Sequence, residues 1–206
     1  MSESDYQRIV EHIIQSAANP MIATDTAIEA AQKFGEMAEQ EQIGWALAGG
    51  LAMHLYGSQR LTNNVAIIAS KELSLTAKHR LSFGGSSYTL QIGKYEVPID
   101  WIVRNDGYEQ FYRAALQEVV RLPNGLRIVT PEWLVILKFN AGRQKDLDDI
   151  VFLLRRKNLV DRTAVKRKVT EVAGEGAWLT MLAGFRRLCD LADGKTTEPG
   201  KYYEQE

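Results

Sequence analysis

The stretch GSQRLTNNVAIIAS, residues 57 to 70, decides how the rest of the chain is read. It opens on Gly57, passes Arg60 and Thr62, and turns apolar from Val65 to Ala69. A run so brief and so apolar predicts a buried strand rather than a surface helix. Side chains alternate across a strand, so positions 64 and 66 project to one face. Those positions hold Asn64 and Ala66.

Working upstream, LAMHLYG reads as a helix stopped by Gly57, and IGWALAGG as a short buried strand stopped by Gly49 and Gly50. Before them, Thr24 to Thr26 offers capping side chains to a helix running to about Gln42, with Ala27, Ala30, Ala31, Phe34, Met37 and Ala38 facing inward. A first helix is expected from the three-and-four spacing of Tyr6, Ile9, Val10, Ile13, Ile14 and Ala17, ended by Asn19-Pro20.

Downstream, SSYTLQIG and YEVPIDWIV predict a hairpin around Gly93-Lys94. Pro98 marks its second arm as an edge strand or a bulged one. YEQFYRAALQEVVRL has helical period throughout, Pro123-Asn124-Gly125 makes a turn, and LRIV is a last short strand. The remainder reads as helix. Thr130 with Pro131 starts one helix as cap and first residue, and Leu147, Ile150, Val151 and Leu154 stripe the next. Asp161 caps a third, AWLTMLAGFRRLCDLA supplies a final one, and the polar end is a loose tail. The expected fold is therefore α/β in the α+β sense, a mixed sheet with packed helices joined to a helical C-terminal part. Its divisions fall at 1–42 for the N-terminal helices, 43–129 for the sheet, 130–192 for the helical part and 193–206 for the tail.

Composition narrows function mainly by exclusion. A chain of 206 residues, 45% hydrophobic and 25% charged, buries a real core. No apolar run approaches the roughly 20 residues of a membrane helix, and MSESDYQRIVEHII reads as no signal peptide, so the cytoplasm is expected with no membrane partner. Cys189 is the sole cysteine, which excludes an intrachain disulfide and a cysteine-built zinc site. The net charge of −1 draws in no nucleic acid, and the aromatic residues are not interleaved with basic ones, so there is no strong nucleic-acid signature. Between Lys138 and Lys168, ten basic residues face four acidic ones, a solvated helical face or an anion-binding surface. His54 reads as a packed histidine.

The residues that carry chemistry form an ordered series. Gly49-Gly50, at a strand-to-helix turn, leaves backbone amides free to meet a phosphate, although tight turns also want glycine for packing alone. Then come Gly57, Arg60 and Thr62, the 64/66 strand positions, Asp100 in VPIDWI, and PEWLVILKFNAGRQKDLDDI, which presents Lys138, Arg143, Lys145 and Asp146 near a helix junction. This order, Gly-Gly, Gly-x-x-Arg-x-Thr, a two-position strand signature, a lone Asp, then Pro-Glu-x-Leu-x-x-x-Lys and Ala-x-Arg-x-Lys-Asp-x-x-Asp, resembles the nucleotidyltransferase superfamily. Within it, the chain is similar to the small bacterial branch of AbiEii-type toxins and minimal nucleotidyltransferases. The resemblance spans about Trp45 to Leu154 and implies a sheet like the DNA polymerase β palm.

In active members, the resemblance implies, Asp-x-Asp and a third Asp hold two Mg²⁺ ions that bind a nucleoside triphosphate and activate a hydroxyl. Gly49 and Gly50 match the phosphate-side turn, Arg60 and Thr62 the residues before the signature, and Asp100 the third carboxylate. Lys138 and Arg143 join the expected nucleotide-binding set. Asn64 and Ala66 stand where the two acids belong, so Asp100 is the one remaining metal-ligand candidate and Mg²⁺ is expected to bind weakly.

Three functional expectations follow. The first is a degenerate nucleotidyltransferase, a pseudoenzyme that binds a nucleotide or other phosphate ligand, in a toxin-antitoxin or defence setting, with a protein or RNA partner. The second is an active Mg²⁺-dependent enzyme in which Asp106, Asp146, Asp148 or Asp149 takes over ligation. The third is an interaction module whose cleft is closed by side chains.

Overall fold

The computed structural model describes residues 24–60 and 62–196, so the expected helix over Tyr6 to Ala17 and the far tail lie outside the described residues. The strands are β1 (Trp45–Ala48), β2 (Val65–Ala69), β3 (His79–Arg80), β4 (Ser86–Ile92), β5 (Tyr95–Ile102), β6 (Val119–Arg121) and β7 (Arg127–Val129). The helices are α1 (Thr24–Gln40), α2 (Gly49–Leu55), α3 (Glu109–Gln117), α4 (Pro131–Ala141), α5 (Gln144–Arg155) and α6 (Arg162–Ala192). One sheet runs in the order β3-β4-β5-β2-β1-β7-β6. β2 lies antiparallel to β1 and parallel to β5, and β1 is parallel to β7, which makes the sheet mixed. The α+β architecture expected from the sequence is present.

Register assigns the two faces of the sheet. Ala66 pairs with Asp100 and with Ala48, while Ile67 pairs with Trp101 and Leu47. Paired residues share a face, so Trp45, Leu47, Val65, Ile67, Ile99 and Trp101 form one side, and Ala48, Ala66, Ile68, Asp100 and Ile102 the other. By the same alternation Asn64, just ahead of β2, belongs with Ala66 and Asp100. Helix α1 covers the first side: Phe34 lies 5.6 Å from the Tyr88 ring and 6.2 Å from that of Trp101. Helices α3 and α4 approach the second, where Tyr112, Leu134 and Leu137 gather around Ala66, Ile68 and Ile102.

Gly35 sets how closely α1 sits. A Cβ at that position would lie 2.1 Å from the ring of Trp45, itself 2% exposed. We expect Gly35→Ala to destabilise the chain by about 1–3 kcal/mol despite alanine's better helix propensity, because the helix must lift off the sheet or the indole must leave its rotamer. Thermal melting checks it; an unchanged or higher Tm would show that this contact does not set the spacing.

Four expectations are corrected. Strand β5 is interior, not an edge, and it carries no required bulge at Pro98: Pro98 faces Thr89 on β4, while pairing to β2 begins only at Ile99, so no N–H is needed on that flank. The helix expected through residue 122 ends at Gln117, and Val119 to Arg121 pairs with β7 instead. The β-branched Val119 and Val120 gain a ladder that local periodicity cannot foresee. Thr130 occupies the cap position of α4, but its hydroxyl makes no capping bond and is buried with no hydrogen-bond partner among the described residues. The acids of RQKDLDD are not all on a solvated face: Asp146 is 2% and Asp149 4% exposed. Other expectations hold. Asp161 accepts from the amides of Thr163 and Ala164, and Gly174, with φ 81° and ψ 170°, breaks α6 into the two helices anticipated there. Among the described residues no helix is long and apolar enough to cross a membrane.

Candidate functional site

A cleft of about 270 Å³ opens on the second face of the sheet, where β1 turns into α2 and β2 begins. Gly49, Gly50, Arg60, Thr62, Asn64, Ala66, Asp100, Lys138 and Arg143, drawn from separate segments, all line it. These nine residues, the expected ligand and nucleotide-binding set, are thus brought to one place. The cleft is open between Gly50, Arg60 and Asp100, contrary to the closed-cleft expectation.

The glycine pair is explained by close packing. Gly49 has φ +62°, and a Cβ there would come within 2.8 Å of the Ala66 methyl. A Cβ on Gly50 would lie 2.5 Å from Thr62 Oγ1. Thr62 in turn donates its hydroxyl to the Asn64 carbonyl at 2.9 Å. The space a phosphate would take beside Gly50 is therefore partly filled by a side chain of the chain itself.

At the expected metal positions, Asn64 donates its Nδ2 amide hydrogen to Asp100 Oδ2 and Ala66 presents a methyl group. These residues do not fit a magnesium centre, which requires several charged or strongly polar oxygens arranged octahedrally at about 2.0–2.1 Å. One carboxylate is present, and an N–H already occupies one of its oxygens. Among the described residues no three His, Cys, Asp or Glu side chains group to hold a metal ion.

Relocated ligands are not offered either. Asp106 is held by Arg104 at 2.5 Å and is absent from the cleft lining; Asp148 is exposed and accepts from Gln144 at 2.9 Å. Asp149 accepts from Lys138 Nζ at 2.7 Å and from Arg60 Nη2 at 3.0 Å. Asp146 does line the cleft, but it accepts from Arg143 Nε at 2.6 Å and Lys138 Nζ at 3.3 Å. Burial pushes the Asp146 carboxyl upward in pKa, and the Arg143 bond and the two positive charges outweigh that, leaving it below the usual carboxylate value. Both acids are thereby committed to cations.

No protein-family model matches the chain, and no curated protein matches it. Among solved structures, the crystal structure of an antigenic nucleotidyltransferase-like protein from Paracoccidioides brasiliensis is similar over 90% of this chain and 100% of that one, at a TM-score of 0.49 and 14% identity.

The cations of the wall differ in what they are free to do. Lys138 is 4% exposed and spent on Asp146 and Asp149. Arg60 has one nitrogen on Asp149, and its Nε is buried with no hydrogen-bond partner among the described residues. Arg143 is 62% exposed, its Nε and Nη2 on Asp146. All three belong to the expected nucleotide-binding set, and buried carboxylates already claim part of their hydrogen-bonding capacity, most of it for Lys138 and least for Arg60. Lys145, named from its position but given no role, lines the same cleft and makes no hydrogen bond or ion pair among the described residues. Partial burial and the charge of Arg143 lower its pKa, with Arg60 and Lys138 adding to that and Asp146 opposing it. Phe83 was missed altogether. The signal was the Gly84-Gly85 pair: both have φ +98°, and a Cβ at Gly85 would lie 2.1 Å from the Trp101 carbonyl, so the loop presses onto β5 and delivers Phe83 to the cleft.

Proposed function

We propose that this chain is a nucleotidyltransferase-like protein whose cleft binds a nucleotide or another phosphate-bearing ligand without efficient catalysis. The observation that carries the reading is the cleft in front of Asp100, where four cations, Arg60, Lys138, Arg143 and Lys145, meet Asn64 and Ala66 in place of metal-binding acids. Such a wall attracts an anion and lacks the carboxylates that a two-metal phosphoryl transfer uses to activate its nucleophile. The order of motifs from Gly49 to Asp149 supports the family resemblance, and with it the AbiEii-like branch and a role in a toxin-antitoxin or defence locus, where a protein or RNA would be the partner. Magnesium has at most a marginal place in this reading, through Asp100.

The test is thermal melting with inorganic phosphate, pyrophosphate and ATP at matched ionic strength, paired with a search for labelled nucleotide transfer in a lysate. Phosphate-bearing anions are expected to raise the Tm; a ligand at a hundred times its Kd adds about 2.7 kcal/mol, roughly 5–10 °C for a chain of this size. No transfer of label is expected. The absence of any shift at millimolar anion, or efficient labelling, would overturn the reading.

A further inference from the structure

We propose that the ligand of this cleft is a phosphate monoester bound without a divalent cation, anchored by Lys145 and the free edge of Arg143. The inference rests on the preceding reading and narrows its ligand class. Charge decides between candidates. Arg60, Lys138, Arg143 and Lys145 are opposed by Asp100, Asp146 and Asp149, so the cluster holds one cation in excess. A phosphate monoester brings about −1.5 to −2 charges at neutral pH, close to what that excess and the local donors can offset. A triphosphate brings more, and ordinarily arrives with Mg²⁺ that shares its charge between phosphate and protein carboxylates. Of the three carboxylates in this cluster, Asp100 alone has no cation bonded to it among the described residues, and the Asn64 amide already donates to it.

Size agrees with charge. About 270 Å³ lies below the roughly 300–1,000 Å³ of sites that enclose drug-sized ligands, which suits a monoester seated by its phosphate better than an enclosed nucleoside triphosphate. Position selects the anchor. Lys138 is buried on Asp146 and Asp149, and Arg60 leans on Asp149 with its side chain 37% exposed and its Nε buried, whereas among the described residues Lys145 has no partner and Arg143, 62% exposed, keeps Nη1 unbonded. An anion between them gains charge-assisted bonds without breaking the buried network.

Isothermal titration with AMP, ribose 5-phosphate and ATP, each with and without Mg²⁺, tests the proposal on the wild-type chain, Lys145→Gln, Lys145→Arg and the control Lys157→Gln. AMP and ribose 5-phosphate are expected to bind with affinities indifferent to Mg²⁺, and more tightly than ATP in its absence. Lys145→Gln should weaken them at least about tenfold, Lys145→Arg should retain most of the binding, and Lys157→Gln should change nothing. Because Lys145 is exposed and unpaired, each variant should melt as the wild type does. If ATP binds tightest and only with Mg²⁺, or if Lys145→Gln binds like the wild type, the proposal falls while the phosphate-binding reading stands. If none of the three compounds binds, both fall.

Discussion

Replacing Lys138 by alanine is expected to cost about 3 kcal/mol of stability, a drop of roughly 6–12 °C in Tm. The ammonium is 4% exposed and bonds two carboxylates that are themselves 2% and 4% exposed. Removing it leaves two negative charges in a poorly solvated place, and that penalty, rather than the worth of the pair itself, sets the size of the effect. Arg60 and Arg143 remain beside Asp149 and Asp146, which keeps the loss at the low end of what breaking a buried pair costs. Lys138→Met, which keeps the apolar stem but not the charge, separates packing from electrostatics. The pH dependence has a definite sign. The folded pKa of Asp146 is depressed below its ordinary 3.8, so its contribution is present above that value and is lost as the pH falls through the folded one. Lys138→Ala removes part of the depression, and the gap between wild type and variant should narrow below about pH 4. Denaturant titrations at pH 7 and pH 3 check both statements; equal stability at pH 7 would show that the cluster does not hold α4, α5 and the Arg60 loop together.

That cluster also marks where the sequence stopped being informative. The strands around Trp45 to Ala48, Val65 to Ala69 and the Gly93-Lys94 hairpin are legible because short apolar runs and turn residues encode them locally, and alternation alone places Asn64 and Ala66 on one face. Asp100 follows from its place in VPIDWI. What local pattern could not give is pairing across the chain. Val119 and Val120 fit helix period as well as strand period, and only β7 decides between them. In RQKDLDD, spacing shows Asp146 and Asp149 on one helix face but not that Lys138 and Arg60 reach over to neutralise them. The same blindness credited Lys138 with a ligand and left Lys145 without a role, since which cation is free depends on which carboxylates fold in beside it. Gly49 and Gly50 drew a phosphate reading because a strand-to-helix glycine pair serves both closeness and anion binding; the Ala66 methyl and the Thr62 hydroxyl pressed against them supply the packing reason.

Placing acids at both positions, by Asn64→Asp together with Ala66→Asp, is expected to produce metal dependence where the wild type has little. Ala66 lies directly opposite Asp100 in the parallel β2–β5 register, and Asn64 shares their face, so three carboxylates would crowd one end of the sheet. Without metal, the variant loses the amide bond to Asp100 and gains like-charge repulsion, a cost of about 2 kcal/mol or more. Crowding raises carboxyl pKa values, so this deficit should shrink on mild acidification, as the added carboxyls take up protons. Mg²⁺ or Mn²⁺ should then raise the Tm of the variant, because each carboxylate about 4 Å from a dication is worth several kcal/mol even at an effective dielectric near 20. Ligand preference should move with it, toward a triphosphate that brings its own magnesium, since the added acids supply the missing partner for the ion. Melting curves of both proteins against metal and nucleotide decide the matter. If the variant ignores divalent ions, more than these two side chains separates the cleft from a metal site; if the wild type responds as strongly, Asn64 and Ala66 are not what keeps magnesium out.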